Sequence, residues 1–190
     1  MRTVVYIFLL LATLLPFSAS ADFQAGSKSV GFSIDGNIDI SGHYFISDNW
    51  AWLVGAGFDR YKYSNNDSTY WASSDQKSYS VTTGIKYYFY KGEINLFWEG
   101  NLSYYYSRYK RTYDSTGAEP YSDKGTSRGR SVGLNIGLEH FFSKRLSLSG
   151  TVGMNYYHER TEAGVYYSGE IKQEGFRTLQ TALKVNYYFM

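Results

Sequence analysis

FSIDGNIDISGHYFI, residues 32–46, alternates with a period of two. Phe32, Ile34, Gly36, Ile38, Ile40, Gly42, Tyr44 and Ile46 share one face, and Ser33, Asp35, Asn37, Asp39, Ser41, His43 and Phe45 share the other. Successive side chains of a strand point to opposite sides, so this stretch is a strand between two different environments. The pattern returns in residues 50–58, 79–89, 94–106, 132–140, 146–156 and 179–189, for example as Leu146, Leu148, Gly150, Val152, Met154 and Tyr156 against Ser147, Ser149, Thr151, Gly153, Asn155 and Tyr157.

The second face decides what surrounds the sheet. A soluble sandwich would wet it and fill it with Lys, Glu and Thr. Gly, Ser and Asn dominate instead, which suits a narrow lumen packed by side chains. The apolar face carries aromatics at the ends of each run and aliphatics or Gly between them, the pattern of a lipid band between aromatic girdles. Ser47-Asp48-Asn49, Lys91-Gly92-Glu93 and Ser143-Lys144-Arg145 are tight turns, whereas Ser64–Gln76, Asp114–Ser127 and Thr161–Gly175 are longer polar connections. Short turns on one side and long loops on the other mark a bacterial membrane barrel, and closure requires an even strand number. The eighth strand is expected from a hairpin turning at Asp35-Gly36-Asn37, with strand one about Phe23–Ile34 and strand two Ile38–Ile46. An unbroken Val30–Ile46 strand after a very short first strand is the alternative. The expected fold is an all-β, eight-stranded antiparallel up-and-down transmembrane β-barrel.

Composition agrees. The 190 residues include no Cys, two Pro, 19 Gly and 21 Tyr. Without Cys, disulfides, thiolate metal sites and Cys nucleophiles are excluded. Met1-Arg2, the apolar run Val4–Leu15, Pro16 and Ala19-Ser20-Ala21 form an expected signal peptide, residues 1–21, leaving residues 22–190 as the barrel domain. Lys plus Arg is 19 and Asp plus Glu 17; removing Arg2 leaves 18 against 17. That balance gives no reason to expect nucleic acid. No metal-ligand spacing, phosphate loop or nucleophile elbow occurs, so no metal or other cofactor is expected.

GHYFISDNWAW (42–52) is close to a strand, Asp-Asn turn, strand pattern, and the chain ends in LKVNYYF (183–189) followed by Met190. On these segments residues 22–190 resemble the small outer-membrane β-barrel domain family, the OmpX/OmpA transmembrane-domain type, within the porin-family proteins. The resemblance implies a place in the outer membrane of a Gram-negative bacterium. It implies assembly by the barrel-assembly machinery and periplasmic chaperones, with Leu183, Val185, Tyr187 and Phe189 as the assembly signal. Its motifs specify architecture far more than function.

Two charge patterns are candidate sites. Parity sends Asp39, Lys86, Glu99, Glu139 and Lys184 inward, where buried charges must pair; they are expected to form an ion-pair layer plugging the lumen. Arg60, Lys62, Lys77, Arg108, Lys110, Arg128, Arg130, Arg160 and Arg177 fall on the outward parity near the extracellular rim. Guanidinium forks match phosphate oxygens bidentately, so this ring is expected to hold lipopolysaccharide phosphates; the competing reading is solubilising charge on strands wetted on both faces. The strand LSYYYSRYKRTY (102–113) is longer than a membrane needs and offers a surface for an extracellular ligand. Of His43, His140 and His158, only His158 is placed to act on outer-leaflet lipid. A non-enzymatic, monomeric structural or surface-interaction barrel (adhesion or lipopolysaccharide binding) is the expectation. A narrow channel is the alternative, and a lipid-modifying enzyme comes third.

Overall fold

The computed structural model describes residues 23–33, 38–67, 70–115, 121–162 and 170–189. The strands are β1 (Lys28–Ser33), β2 (Ile38–Phe45), β3 (Trp50–Asp67), β4 (Tyr70–Tyr90), β5 (Ile94–Ser115), β6 (Tyr121–Phe141), β7 (Leu146–Glu162) and β8 (Glu170–Phe189). Each pairs antiparallel with its sequence neighbour, and β1 pairs with β8, closing the barrel. Closure leaves no sheet edge at the level where all eight strands are paired, as a lipid-facing sheet demands.

The expected signal peptide, residues 1–21, and the Asp35-Gly36-Asn37 turn lie outside the described residues. The pairing of Val30 with Gly42 and Phe32 with Ile40 makes β1 and β2 separate partners, so the unbroken Val30–Ile46 strand is not formed. Strand one is shorter than the expected 23–34: the chain enters it only at Lys28. Ahead of it, Gly26 takes φ +93°, and its N–H donates to the Phe45 carbonyl at 2.8 Å. This turn drops the Phe23 ring into the lumen.

The period-two expectation holds on the walls. Phe32, Ile40, Trp52, Val54, Ile85, Leu102, Leu134, Ile136 and Met154 are exposed on the outside, while Phe45, Leu53, Phe97 and Phe141 are buried inside. On β5 the outward aromatics Trp98 and Tyr106 bound this band. Eight residues at ~3.4 Å, tilted by ~40°, put them about 21 Å apart, close to the apolar height of such barrels. The polar atom of Trp52 on this face is satisfied, its indole N–H donating to Thr83 Oγ1 at 2.9 Å.

The three expected turns are present, each with side-chain support: Ser47 Oγ accepts from Trp50 N–H, Asn95 Oδ1 from Gly92 N–H, and Ser143 Oγ from Leu146 N–H. The three polar connections are mostly strand rather than loop. β3 runs to Asp67 and β4 starts at Tyr70; β5 runs to Ser115 and β6 starts at Tyr121; β7 runs to Glu162 and β8 starts at Glu170. Polarity on both faces hides them in the sequence, since above the lipid both faces meet water while the backbone ladder continues. β1 and β2 stop far lower. Among the described residues, residues 59–67 of β3 and the upper part of β8 each pair on one side only.

Candidate functional site

The periplasmic end of the lumen is closed by rings. Phe23 is 2% exposed and packs on Phe45 (centroids 4.4 Å), Tyr88 (4.9 Å), Tyr188 (5.3 Å) and Phe141 (5.5 Å). These residues come from β2, β4, β6 and β8, with Phe23 dropped among them from the N-terminal turn. The sequence pattern assigns residue 23 to a strand, because its plugging role has no local signal.

Directly on this floor sits Glu139, fully buried. Lys86 Nζ donates to its Oε2 at 2.9 Å, Tyr88 Oη to the same oxygen at 2.6 Å, and Tyr188 Oη to Oε1 at 2.6 Å. Asn186 Nδ2 donates to Oε1 at 3.0 Å, and Ser147 Oγ donates to it as well. Every lone-pair direction of the carboxylate therefore has a donor. Lys86 Nζ also lies 3.8 Å from the Phe97 ring centroid, a cation–π contact. His43 is inward and buried, its Nδ1 2.7 Å from Ser29 Oγ.

Only part of the expected five-residue layer assembles here. Lys86 and Glu139 form the ion pair. Glu99 stands opposite Lys86 in the β4–β5 ladder and accepts from Asn101 Nδ2 at 3.4 Å. Asp39, Glu99 and Lys184 line a cavity of about 430 Å³ above the floor. Equal height along the strands does not bring charges together across a lumen of this width. Higher still, the structure holds a network that parity alone does not single out: Tyr105 Oη and Ser127 Oγ donate to Glu159, and Arg177 lies 4.5 Å over the Tyr157 ring.

Arg177 is a correction. Parity places it on the outward ring, but Gly153 pairs with Gln180 and Met154 with Thr178, so β8 carries one extra residue. A single-residue bulge reverses the facing of every residue beyond it. Arg177 is consequently opposite the inward Asn155. The tyrosine strand is likewise divided. Tyr105 and Tyr109 turn inward opposite Gly129 and Gly125, where a Cβ would strike their rings. Tyr104 is outward and exposed.

The other eight ring residues share the outer face. Arg60, Lys77 and Arg108 stand directly opposite one another across β3, β4 and β5. Arg128, Arg160 and Lys172 do so across β6, β7 and β8, and Lys110 faces Lys124. Lys124 and Lys172 escape the sequence reading because their polar segments resemble loops. Acids interleave: Arg60 makes a two-point pair with Asp75 at 3.1 and 2.7 Å, next to Lys62, and Arg128 pairs with Glu162 at 2.8 Å. Arg60 holds the Asp75 carboxyl below its usual range through this hydrogen bond. Arg130 faces His158, whose Nδ1 is 3.5 Å from Glu174. The cross-strand neighbours of His158 are thus Arg130 and Glu174 and not a serine. His140 lies near the periplasmic end, its ring edge-on to Phe142. Leu183, Val185, Tyr187 and Phe189 occupy the strand that closes the barrel, with Tyr187 opposite Val30 and Phe189 opposite Lys28.

No protein-family model matches the chain, and no curated protein matches it. Among solved structures it is similar to a major outer membrane protein from Thermus thermophilus, with 12% identity over 86% of this chain and 99% of that one and a TM-score of 0.51. It is also similar to Ail, the attachment invasion locus protein of Yersinia pestis (16% identity, 87% and 100% covered, TM-score 0.48), and to the N-terminal β-barrel domain of Pseudomonas aeruginosa OprF (13%, 88% and 100%, TM-score 0.35). The closed ring of eight up-and-down strands with an apolar exterior gives this chain the fold of the small outer-membrane β-barrels.

Proposed function

We propose that this chain is a monomeric, side-chain-filled barrel of the Gram-negative outer membrane that holds lipopolysaccharide by its phosphates. The observation that carries the reading is the register of the outer face, which stacks Arg60, Lys77 and Arg108 in one row and Arg128, Arg160 and Lys172 in another. Like charges directly opposite on a sheet repel, at about 1 kcal/mol per pair even in water. Surface-solubilising charge would alternate in sign along such rows. Rows of one sign just above the aromatic girdle suit a dianionic partner fixed at that height, and phosphorylated glycolipid of the outer leaflet meets that requirement. Asp75 and Glu162 offset part of the repulsion and set the spacing of the guanidinium groups.

The test is retention of lipopolysaccharide by purified barrel after Arg108, Arg128 and Arg130 are changed together to Glu. Bound glycolipid, read on gels and by phosphate assay, is expected to fall at least tenfold with heat-modifiable mobility intact. Unchanged retention refutes the reading. The aromatic floor and the fully satisfied Glu139 support a plugged lumen over the channel reading. Planar-bilayer recordings are expected to give no steady conductance level, and a stable open level would reverse that choice. Exposed tyrosines beside the cations above the rim, such as Tyr61 and Tyr63, support a further adhesive role. The closing strand β8, with alternating Leu183, Val185, Tyr187 and Phe189, suits delivery by periplasmic chaperones to the barrel-assembly machinery.

A further inference from the structure

Above the side-chain-filled floor the lumen widens into a cavity with the features of a binding pocket. Its volume, about 430 Å³, falls within the ~300–1,000 Å³ of small-molecule sites. It is blind below, where Lys86 and Glu139 satisfy each other on the aromatic layer. Its walls carry an acid, Glu99, and a base, Lys184, that do not pair with each other. Among the described residues neither Glu99, 5% exposed, nor Lys184 forms an ion pair, and β6 and β7 stand between them in the barrel wall. An acid and a base that face one cavity without meeting leave both charges open to a third partner between them.

We propose that this cavity binds a small zwitterion carrying one amine and one carboxylate. The carboxylate takes the Lys184 ammonium, and the amine takes the Glu99 carboxylate. Asp39 lines the same cavity from β2, separated from β8 by β1 alone. A zwitterion fits better than a simple ion because Glu99 and Lys184 then each meet their opposite and no net charge enters the lumen. Ala182 lines the cavity from β8 and leaves the space that the ligand fills. This pocket is separate from the outward cationic rows, so the two proposals fail independently.

The experiment is equilibrium dialysis of the full mature barrel in detergent micelles with radiolabelled glycine and 4-aminobutyrate, with glycerol and acetate as controls. Saturable binding of one or both zwitterions, and of neither control, is expected. Lys184→Met and Glu99→Gln each remove one charged hydrogen bond and should weaken binding roughly ten- to a hundredfold. Lys184→Arg should retain it, and Ala182→Leu, which fills the space, should abolish it. Heat-modifiable mobility and β-sheet circular dichroism establish that each variant is folded. Absence of saturable zwitterion binding in folded wild type overturns the proposal. So does glycerol or acetate binding as well as the zwitterions do, or folded Lys184→Met and Glu99→Gln variants that bind like wild type.

Discussion

Replacing Glu139 by Gln removes the charge at the centre of the buried network while keeping its shape. Five groups lose their present acceptor geometry: Lys86, Tyr88, Tyr188, Asn186 and Ser147. The amide nitrogen of Gln can only donate, so at least one of these donors is left facing another donor. Lys86, 2% exposed, keeps its charge but loses its ionic partner, with a neutral amide, the Phe97 and Tyr88 rings and Glu99 across the ladder left as compensation. Breaking a buried ion pair from one side costs about 3–5 kcal/mol, and a neutral donor left unsatisfied adds about 1–3 kcal/mol. The terms overlap, so about 4 kcal/mol is expected. Lys86→Met should cost less, because Glu139 retains its four other donors. Lys86→Met combined with Glu139→Gln should be less destabilising than the sum of the two by roughly 2 kcal/mol, since no orphaned charge remains. Urea unfolding of refolded barrel in lipid vesicles, followed by tryptophan fluorescence and by gel mobility of unheated samples, measures each value. A Glu139→Gln loss below about 1 kcal/mol, or strict additivity in the double variant, refutes the view that this pair plugs the lumen as one network.

Phe23→Ala removes the ring shared by Phe45, Tyr88, Phe141 and Tyr188 and should cost about 3 kcal/mol in the same assay. Brief conductance events absent from wild type are expected in bilayer recordings of that variant, because the floor then has a gap. Gly137→Ala would bring a methyl against the Phe97 ring and the Gly150 carbonyl oxygen; the backbone side cannot yield, so a loss of about 1–3 kcal/mol is expected in urea unfolding, against little change for Gly175→Ala, whose Cβ would meet Tyr157 only at ordinary contact distance. Asp75→Asn should lower the urea midpoint slightly at pH 7. The Asp75 carboxyl is depressed by its hydrogen bond from Arg60, so its contribution is fully present above its unfolded pKa of ~3.9 and is lost as pH falls through the lower folded value. The difference between wild type and variant should therefore be constant from pH 7 to about pH 5 and vanish only in strong acid, where titration of the unfolding midpoint will show it.

The alternation in Phe32–Ile46 and its repeats is enough to place the apolar wall segments of β2 to β8, the three tight turns and the residues that face outward on most of each wall, but not the start of β1 or the polar upper ends of the strands. That much is local: a strand's facing follows from its own sequence with a period of two, and the contrast between an apolar exterior and a Gly, Ser and Asn interior survives in any register. What needs the tertiary structure is non-local. One extra residue in β8 turns Arg177 inward, and no sequence feature near it announces a bulge. The inward charges are legible from parity, but their partners lie across the barrel, so only the closed ring shows that Lys86 meets Glu139 while Asp39, Glu99 and Lys184 line a cavity. Phe23 plugs the floor because a turn at Gly26 aims it there, and its contacts reach as far along the chain as Tyr188. The rows of cations exist only once the ladders fix which arginine stands beside which lysine. Period decides the face; register, closure and cross-lumen packing decide the neighbours, and the chemistry of this barrel is made by neighbours.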